Sequence, residues 1–164
     1  MLDKKIAENS MQRLRWYNNI KEKELKEASV PPFSKWCSGR LTYIKRGEIE
    51  IKYDTQPEMD NSTGLLHGGM ICAMIDNTIG YAAYGLGYET GVITIGIQVS
   101  FLGKIEIGEK VRIKAKILRE GKYLLHAIAQ VFNSSGEIVS LANSDLLLTT
   151  SYVDFHKFRK NIIK

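Results

Sequence analysis

A chain of 164 residues and 18.6 kDa has room for one domain with its own core. With 44% hydrophobic and 25% charged residues it has the composition of a folded globular protein, not of a disordered or fibrous one. The net charge of +5 comes from 23 Lys and Arg against 18 Asp and Glu, yet residues 61–102 contain no Lys or Arg and only two carboxylates, Asp76 and Glu89.

In chain order, residues 3–28 read as an amphipathic helix, with Met11, Leu14, Tyr17 and Ile20 on one face and Val30-Pro31-Pro32 as its stop. From Gly39 the period changes to two. Leu41 to Arg46 and Glu48 to Tyr53 flank Gly47 and predict a hairpin, the second strand alternating Ile49, Ile51 and Tyr53 with Glu48, Glu50 and Lys52. Beyond a polar loop, Gly68 to Tyr84 has the length and the Ala, Met and Ile content of a buried helix that ends at Gly85 and Gly87. Four further strands are predicted at 92–102, 110–118, 123–132 and 137–150, with turn residues at Arg119-Glu120-Gly121-Lys122 and Asn133-Ser134-Ser135-Gly136. The expected class is α+β, an antiparallel sheet of about six strands curved around one long helix. Three regions follow: an N-terminal helix and connector at 1–38, the sheet-and-helix domain at 39–152 and a basic tail at 153–164, which holds Lys157, Arg159, Lys160 and Lys164.

The uncharged stretch does not read as a membrane span, because Gly64 to Tyr88 contains six glycines and a carboxylate near its middle. The start, MLDKKIAENS, lacks an apolar signal core, so a cytoplasmic location is expected. Cys37 and Cys72 make neither a disulfide framework nor a metal site, and no His/Cys cluster has ligand spacing, so no metal is expected. The basic residues are largely interleaved with acidic ones, and no helix-turn-helix, zinc-finger or aromatic RNA-binding pattern occurs, so nucleic acid is not an expected partner.

Chemistry is most concentrated on the predicted central helix. Stepping 100° per residue puts Gly69, Cys72, Ala73, Ile79, Gly80 and Ala83 beside Asp76, with Met70, Ile71, Met74, Thr78 and Tyr81 opposite. A carboxylate on a buried helix with no cation nearby in sequence would have a raised pKa and is a functional candidate; the alternative is that it hydrogen-bonds to backbone amides or a neighbouring strand and only supports the fold. Cys72 reads as a small packing residue and not as a nucleophile. At the helix start, Gly68 and Gly69 expose N–H groups at the positive end of the dipole, where an anion or a developing oxyanion can be held.

Asn61-Ser62-Thr63-Gly64-Leu65-Leu66-His67-Gly68-Gly69 followed by Asp76-Asn77 resembles the Asn-x-x-Gly-x-x-His-Gly-Gly and downstream Asp pattern of the hotdog-fold acyl-CoA thioesterase superfamily. The phenylacetic-acid-degradation type is the nearest subgroup, and the resemblance covers about residues 40–150. It implies a hotdog fold, a homodimer or homotetramer, and a site between subunits in which the carboxylate of one chain faces the His-Gly-Gly segment of the other. By matching position Asp76 would be the general base or nucleophile, the Gly68 N–H the donor to the thioester oxygen, and Asn61 the group that positions water or substrate. His67 would fix the loop or touch the carbonyl, and Thr94 stands where the family often has a Ser that helps hold the water. A threonine on an apolar strand also needs no such role. Gly121 and Lys122 match a Gly-Lys turn beside bound coenzyme A, or form a plain hairpin turn, with Gly69 also near the substrate. The resemblance implies hydrolysis of acyl-CoA to free acid and CoA, without a cofactor of its own. CoA phosphates would meet Lys122, Arg119 and the basic tail. The alternative is an acyl-CoA-binding sensor or regulator on the same fold that does not turn its ligand over. A dehydratase or hydratase on this fold would need a different arrangement of His and carboxylate.

Overall fold

The N-terminal helix is shorter than its amphipathic pattern predicts. In the computed structural model, which describes residues 3–152, α1 runs Lys4–Ile20, with the Asp3 carboxylate accepting hydrogen bonds from the Lys5 and Ile6 amides at its start. Glu22 adopts a left-handed backbone (φ 61) and donates its amide to Leu41 O, which turns the chain toward the first strand. Leu25 is thereby fully buried in a short 3-10 turn, Leu25–Glu27, and Glu24 pairs with Arg40 at 2.5 Å. These tertiary contacts outweigh the helical preference of residues 21–28. Pro32 starts a helix as well as marking a stop: α2 spans Pro32–Cys37 with the proline at its first turn, and ends at Ser38 in the left-handed region. Six residues carry too little periodicity to be read from sequence.

The inward face of α1 carries most of the predicted apolar stripe and polar groups beside it: Tyr17 is buried and Leu14 and Ile20 pack against the core, whereas Met11 is 52% exposed and Ser10 is buried in its place. Ser10 Oγ donates to Gly85 O (2.7 Å), Tyr17 OH to Tyr81 O (2.8 Å), and Arg13 to the Tyr84 and Tyr88 carbonyls (2.8 and 2.7 Å). These side chains donate to carbonyls at and just beyond the C-terminal end of the long helix, where acceptor capacity is left over; Tyr81 O and Tyr84 O also accept from the Gly85 and Gly87 amides. Gly87 (φ +96) lies where α1 crosses, and a Cβ there would collide with Ile6 O and Ser10.

The long helix, α3, spans Gly68–Tyr84 as predicted. Around it the strands are β1 (Gly39–Lys45), β2 (Glu48–Asp54), β3 (Thr90–Phe101), β4 (Lys110–Glu120), β5 (Leu124–Phe132) and β6 (Ile138–Tyr152). They form one antiparallel sheet in the order β1-β2-β4-β5-β6-β3, so that β3 is an edge strand. Along β4, Val111, Ile113 and Ala115 are buried, and Lys114 and Lys116 are exposed. Met74, Ile75, Ile79 and Ala82 of α3 are fully buried, each large apolar side chain contributing about 1.5–3 kcal/mol. Tyr53 OH and Thr78 Oγ1, 2.9 Å apart, satisfy each other within the core. This is the α+β arrangement that the resemblance implies. No helix among the described residues is long and apolar enough to cross a membrane. The basic run at 157–164 lies outside the described residues.

Candidate active site

The segment leading into α3 is folded on itself by side-chain hydrogen bonds. Asn61 Oδ1 accepts from Thr63 N (3.0 Å) and Thr63 Oγ1 (2.7 Å), and Asp60 Oδ1 accepts from Gly64 N (2.9 Å). Leu66 N donates to Ile105 O and His67 N to Met59 O, which pins the helix start to two neighbouring segments. His67 is the N-cap: its Nδ1 accepts from Gly69 N at 2.9 Å, so a neutral ring carries its proton on Nε2. Met70 N and Ile71 N donate to His67 O. Among the described residues only Gly68, of the first four helical positions, has an amide with no hydrogen bond. The two glycines therefore differ. Gly69 has its N–H occupied, while Gly68 presents a free donor at the positive end of the dipole, beneath the Phe101 ring.

Asp76 departs from the expectation of a buried, unpaired carboxylate. It is exposed in the single chain, and Thr94 Oγ1 donates to its Oδ1 at 2.6 Å. The cause is the position of β3: as an edge strand it flanks the Asp76 side of α3 without covering it. Cys72 and Gly80 share that half-open face, whereas Ile79 and Ala83, also read as lying beside Asp76, are buried, and Met70, read as facing the sheet, is only half-buried. Thr94 stands next to a bulge between Thr94 and Gly96. Within one chain the Gly68 amide and the Asp76 carboxylate are eight residues apart along a straight helix, about 12 Å. They cannot both touch one carbonyl group. Asn61 likewise uses its carbonyl oxygen within its own loop, leaving the Nδ2 hydrogens without a partner among the described residues.

Gly121 is required by its turn. Its amide donates to Leu124 O at 2.8 Å, and a Cβ would lie 2.7 Å from that oxygen. Lys122 extends over the Tyr123 ring at 5.0 Å. Both line an open cleft of about 510 Å³ with Arg119, His126 and Asp145, in which His126 Nδ1 and Asp145 Oδ1 are 2.7 Å apart. Leu125 pairs with Leu146 and Leu146 with Thr94, so that rung of β5 is two strand spacings, about 10 Å, from Thr94.

A second cavity, of about 270 Å³, opens on the other side of Asp76 between α1 and α3. Its walls include Trp16, Tyr17, Gly80 and Tyr84, none of which stands out as a site residue in the sequence. The legible signal is the i, i+4, i+8 spacing of Asp76, Gly80 and Tyr84 on one helix face; the contribution of α1 is tertiary and leaves no local pattern. Burial pushes the Cys37 thiol up to about 11, which keeps it protonated and unreactive. Among the described residues no group of His, Cys, Asp and Glu could hold a metal ion.

The sequence profile of the thioesterase superfamily matches residues 63–140, from Thr63 through α3 to the start of β6. Human acyl-coenzyme A thioesterase 13 is 22% identical over 105 residues, which are 62% of this chain and 75% of that protein. The Escherichia coli PaaI protein from the phenylacetic acid degradation operon superposes with a TM-score of 0.74 at 13% identity, covering 91% of this chain and 99% of that one. A hypothetical thioesterase from Streptococcus pneumoniae TIGR4, solved with coenzyme A, superposes with a TM-score of 0.66 at 16% identity, covering 71% and 92%.

Proposed function

We propose that this chain, whose residues 63–140 match the sequence profile of the thioesterase superfamily, hydrolyses acyl-CoA thioesters with Asp76 as its reacting carboxylate. The observation that carries the reading is the hydrogen bond of 2.6 Å from Thr94 Oγ1 to Asp76 Oδ1. It fixes the carboxylate on the rigid edge of a sheet and leaves Oδ2 to take a proton from water or to attack the carbonyl directly. By either route the C–S bond breaks, a C–O bond forms, and the proton released by water ends on the CoA sulfur. The Gly68 amide is the donor for the developing oxyanion.

About 12 Å separates Gly68 from Asp76 in one chain, so the working site takes Asp76 from one subunit and Gly68 from another. Edge strand β3 supports such pairing: Ile93 and Ile95 are each 56% exposed and Ile97 is 38% exposed, an apolar surface unusual on an unpartnered edge. Asn61, through its free amide hydrogens, orients water or the thioester, and His67 holds Gly69 so that Gly68 alone faces the substrate. Lys122 and Arg119, which line the cleft beyond β6, would meet the CoA phosphates; the coenzyme A bound to the pneumococcal relative supports this reading.

The test is release of free thiol from a panel of acyl-CoAs by the wild type and by Asp76→Asn. The expected result is turnover by the wild type and a loss of at least about a thousandfold in the variant, the scale on which a residue in a catalytic triad contributes. Turnover that survives the substitution would remove Asp76 from the chemistry. Tight acyl-CoA binding without turnover by the wild type would make the chain a sensor.

A further inference from the structure

The cavity between α1 and α3 has a feature that the packing of the chain does not explain. Gly80 lies in the middle of α3, where glycine costs about 0.5–1 kcal/mol relative to alanine. Its φ is not positive, and a Cβ built on it would meet nothing within 4 Å. Neither backbone geometry nor a neighbouring atom demands a glycine there. The space that a side chain would fill is the cavity itself, one helical turn from Asp76. The remaining walls are aromatic or rigid: Trp16 and Tyr17 from α1, Pro31 from the connector and Tyr84 from the end of α3. Trp16 is held edge-on to Tyr84, with ring centroids 6.4 Å apart, and the Tyr17 hydroxyl is anchored to Tyr81 O, so α1 is a fixed wall and not a loose flap.

The floor is polar but almost entirely satisfied within the chain. Ser34 Oγ donates to Asn77 Oδ1 at 2.7 Å, and Asn77 Nδ2 donates to Tyr53 OH at 3.1 Å. The exception is Tyr81, 7% exposed, whose hydroxyl makes no hydrogen bond of ordinary geometry among the described residues. Burial pushes its pKa up to about 12, and nearby Ser34 offsets part of that rise. An unmet buried hydroxyl costs about 1–3 kcal/mol. A cavity with aromatic walls, a polar floor almost entirely satisfied within the chain and a carboxylate at its edge is built as a ligand pocket is built.

We propose that this cavity receives the acyl group of the thioester, and that α1, through Trp16 and Tyr17, sets the acyl preference in favour of compact groups. At about 270 Å³ it has the volume of roughly nine water molecules, enough for a six-carbon chain or a single ring but not for an extended fatty chain. The assignment depends on Asp76 being the reacting carboxylate, since only then does the cavity begin where the acyl carbon must lie.

Two variants test it from opposite walls. Gly80→Leu fills the cavity, and is expected to lower the ratio of kcat/KM for hexanoyl-CoA to that for acetyl-CoA by at least about tenfold, the scale on which apolar pockets discriminate between chain lengths. Trp16→Ala widens the cavity and is expected to raise the ratio of dodecanoyl-CoA to hexanoyl-CoA turnover by about threefold or more. Ratios that stay at their wild-type values in both folded variants overturn the proposal. So does a uniform loss with every thioester accompanied by loss of the dimer, which would make Gly80 a contact between subunits. Should the wild type hydrolyse nothing, the hydrolase reading fails separately. The cavity is then read by affinity for a non-hydrolysable hexanoyl-CoA thioether: about tenfold weaker binding by Gly80→Leu, with CoA alone bound equally, supports it, and equal binding of the thioether by both proteins overturns it.

Discussion

Replacing Thr94 with Val removes one hydroxyl and keeps the shape of the side chain, which isolates the contact that holds Asp76. The lost interaction is a hydrogen bond of 2.6 Å to a carboxylate oxygen, and bonds to charged groups contribute about 1.5–3 kcal/mol. At about 1.4 kcal/mol per tenfold in rate, a carboxylate no longer held in its reacting orientation should lower kcat by about 10- to 100-fold. Binding of the CoA portion is made elsewhere, so KM should stay within about twofold. Thr94 is only half-buried, and its replacement should change stability by no more than about 0.5 kcal/mol, a shift in Tm of about 2 °C. The assay is steady-state thiol release for the wild type, Thr94→Val and Thr94→Ser, with thermal melting of each. Serine keeps the hydroxyl and should recover most of the rate. A Thr94→Val enzyme with wild-type kcat would refute the reasoning, because the orientation of Asp76 would then owe nothing to its hydrogen bond with Thr94.

His67→Ala should lower Tm by about 2–4 °C, since losing a capping acceptor costs about 1 kcal/mol, and His67→Asn should restore both Tm and turnover because Asn can cap in the same way. A stable but inactive His67→Asn enzyme would show instead that the imidazole acts on the substrate. Ile95→Asp places a charge on the apolar edge of β3, and should yield a monomer in sedimentation together with a loss of activity of at least about a hundredfold. A fully active monomer would contradict a site shared between subunits.

What the sequence revealed and what it hid follow from the range of the interactions concerned. The bounds of α3 were legible because Gly68, a long apolar run and Gly85 mark them locally, and the strands were legible because alternation such as Val111, Ile113 and Ala115 against Lys114 and Lys116 is a local pattern. The shortening of α1 was not, because it depends on Glu22 reaching Leu41 O and on Leu25 entering the core, contacts made with residues far along the chain. Spacing in the sequence raised Gly68 and Gly69 equally; only the His67 Nδ1 contact separates them. The exposure of Asp76 was hidden for a related reason. Helix periodicity describes which residues share a face, but whether β3 covers that face or merely flanks it depends on the strand order, which places the third strand in sequence at the edge beside the sixth. The small residues near Asp76 were visible in the sequence, and the structure divides them: Ala83 packs inside the chain, while Gly80 leaves space open.

The central claim is that Asp76 of one subunit and Gly68 of another act on the same thioester, and complementation measures it directly. Asp76→Asn removes the carboxylate, and Gly68→Pro removes the N–H at a first helical position that tolerates proline. Each variant alone should be inactive. Co-expressed in equal amounts, half of the dimers pair one variant with the other, and each mixed dimer contains one intact site of two, so thiol release should return to about a quarter of the wild-type value per chain. Activity no greater than the sum of the two separate variants, in a preparation shown to contain mixed dimers, would contradict the account.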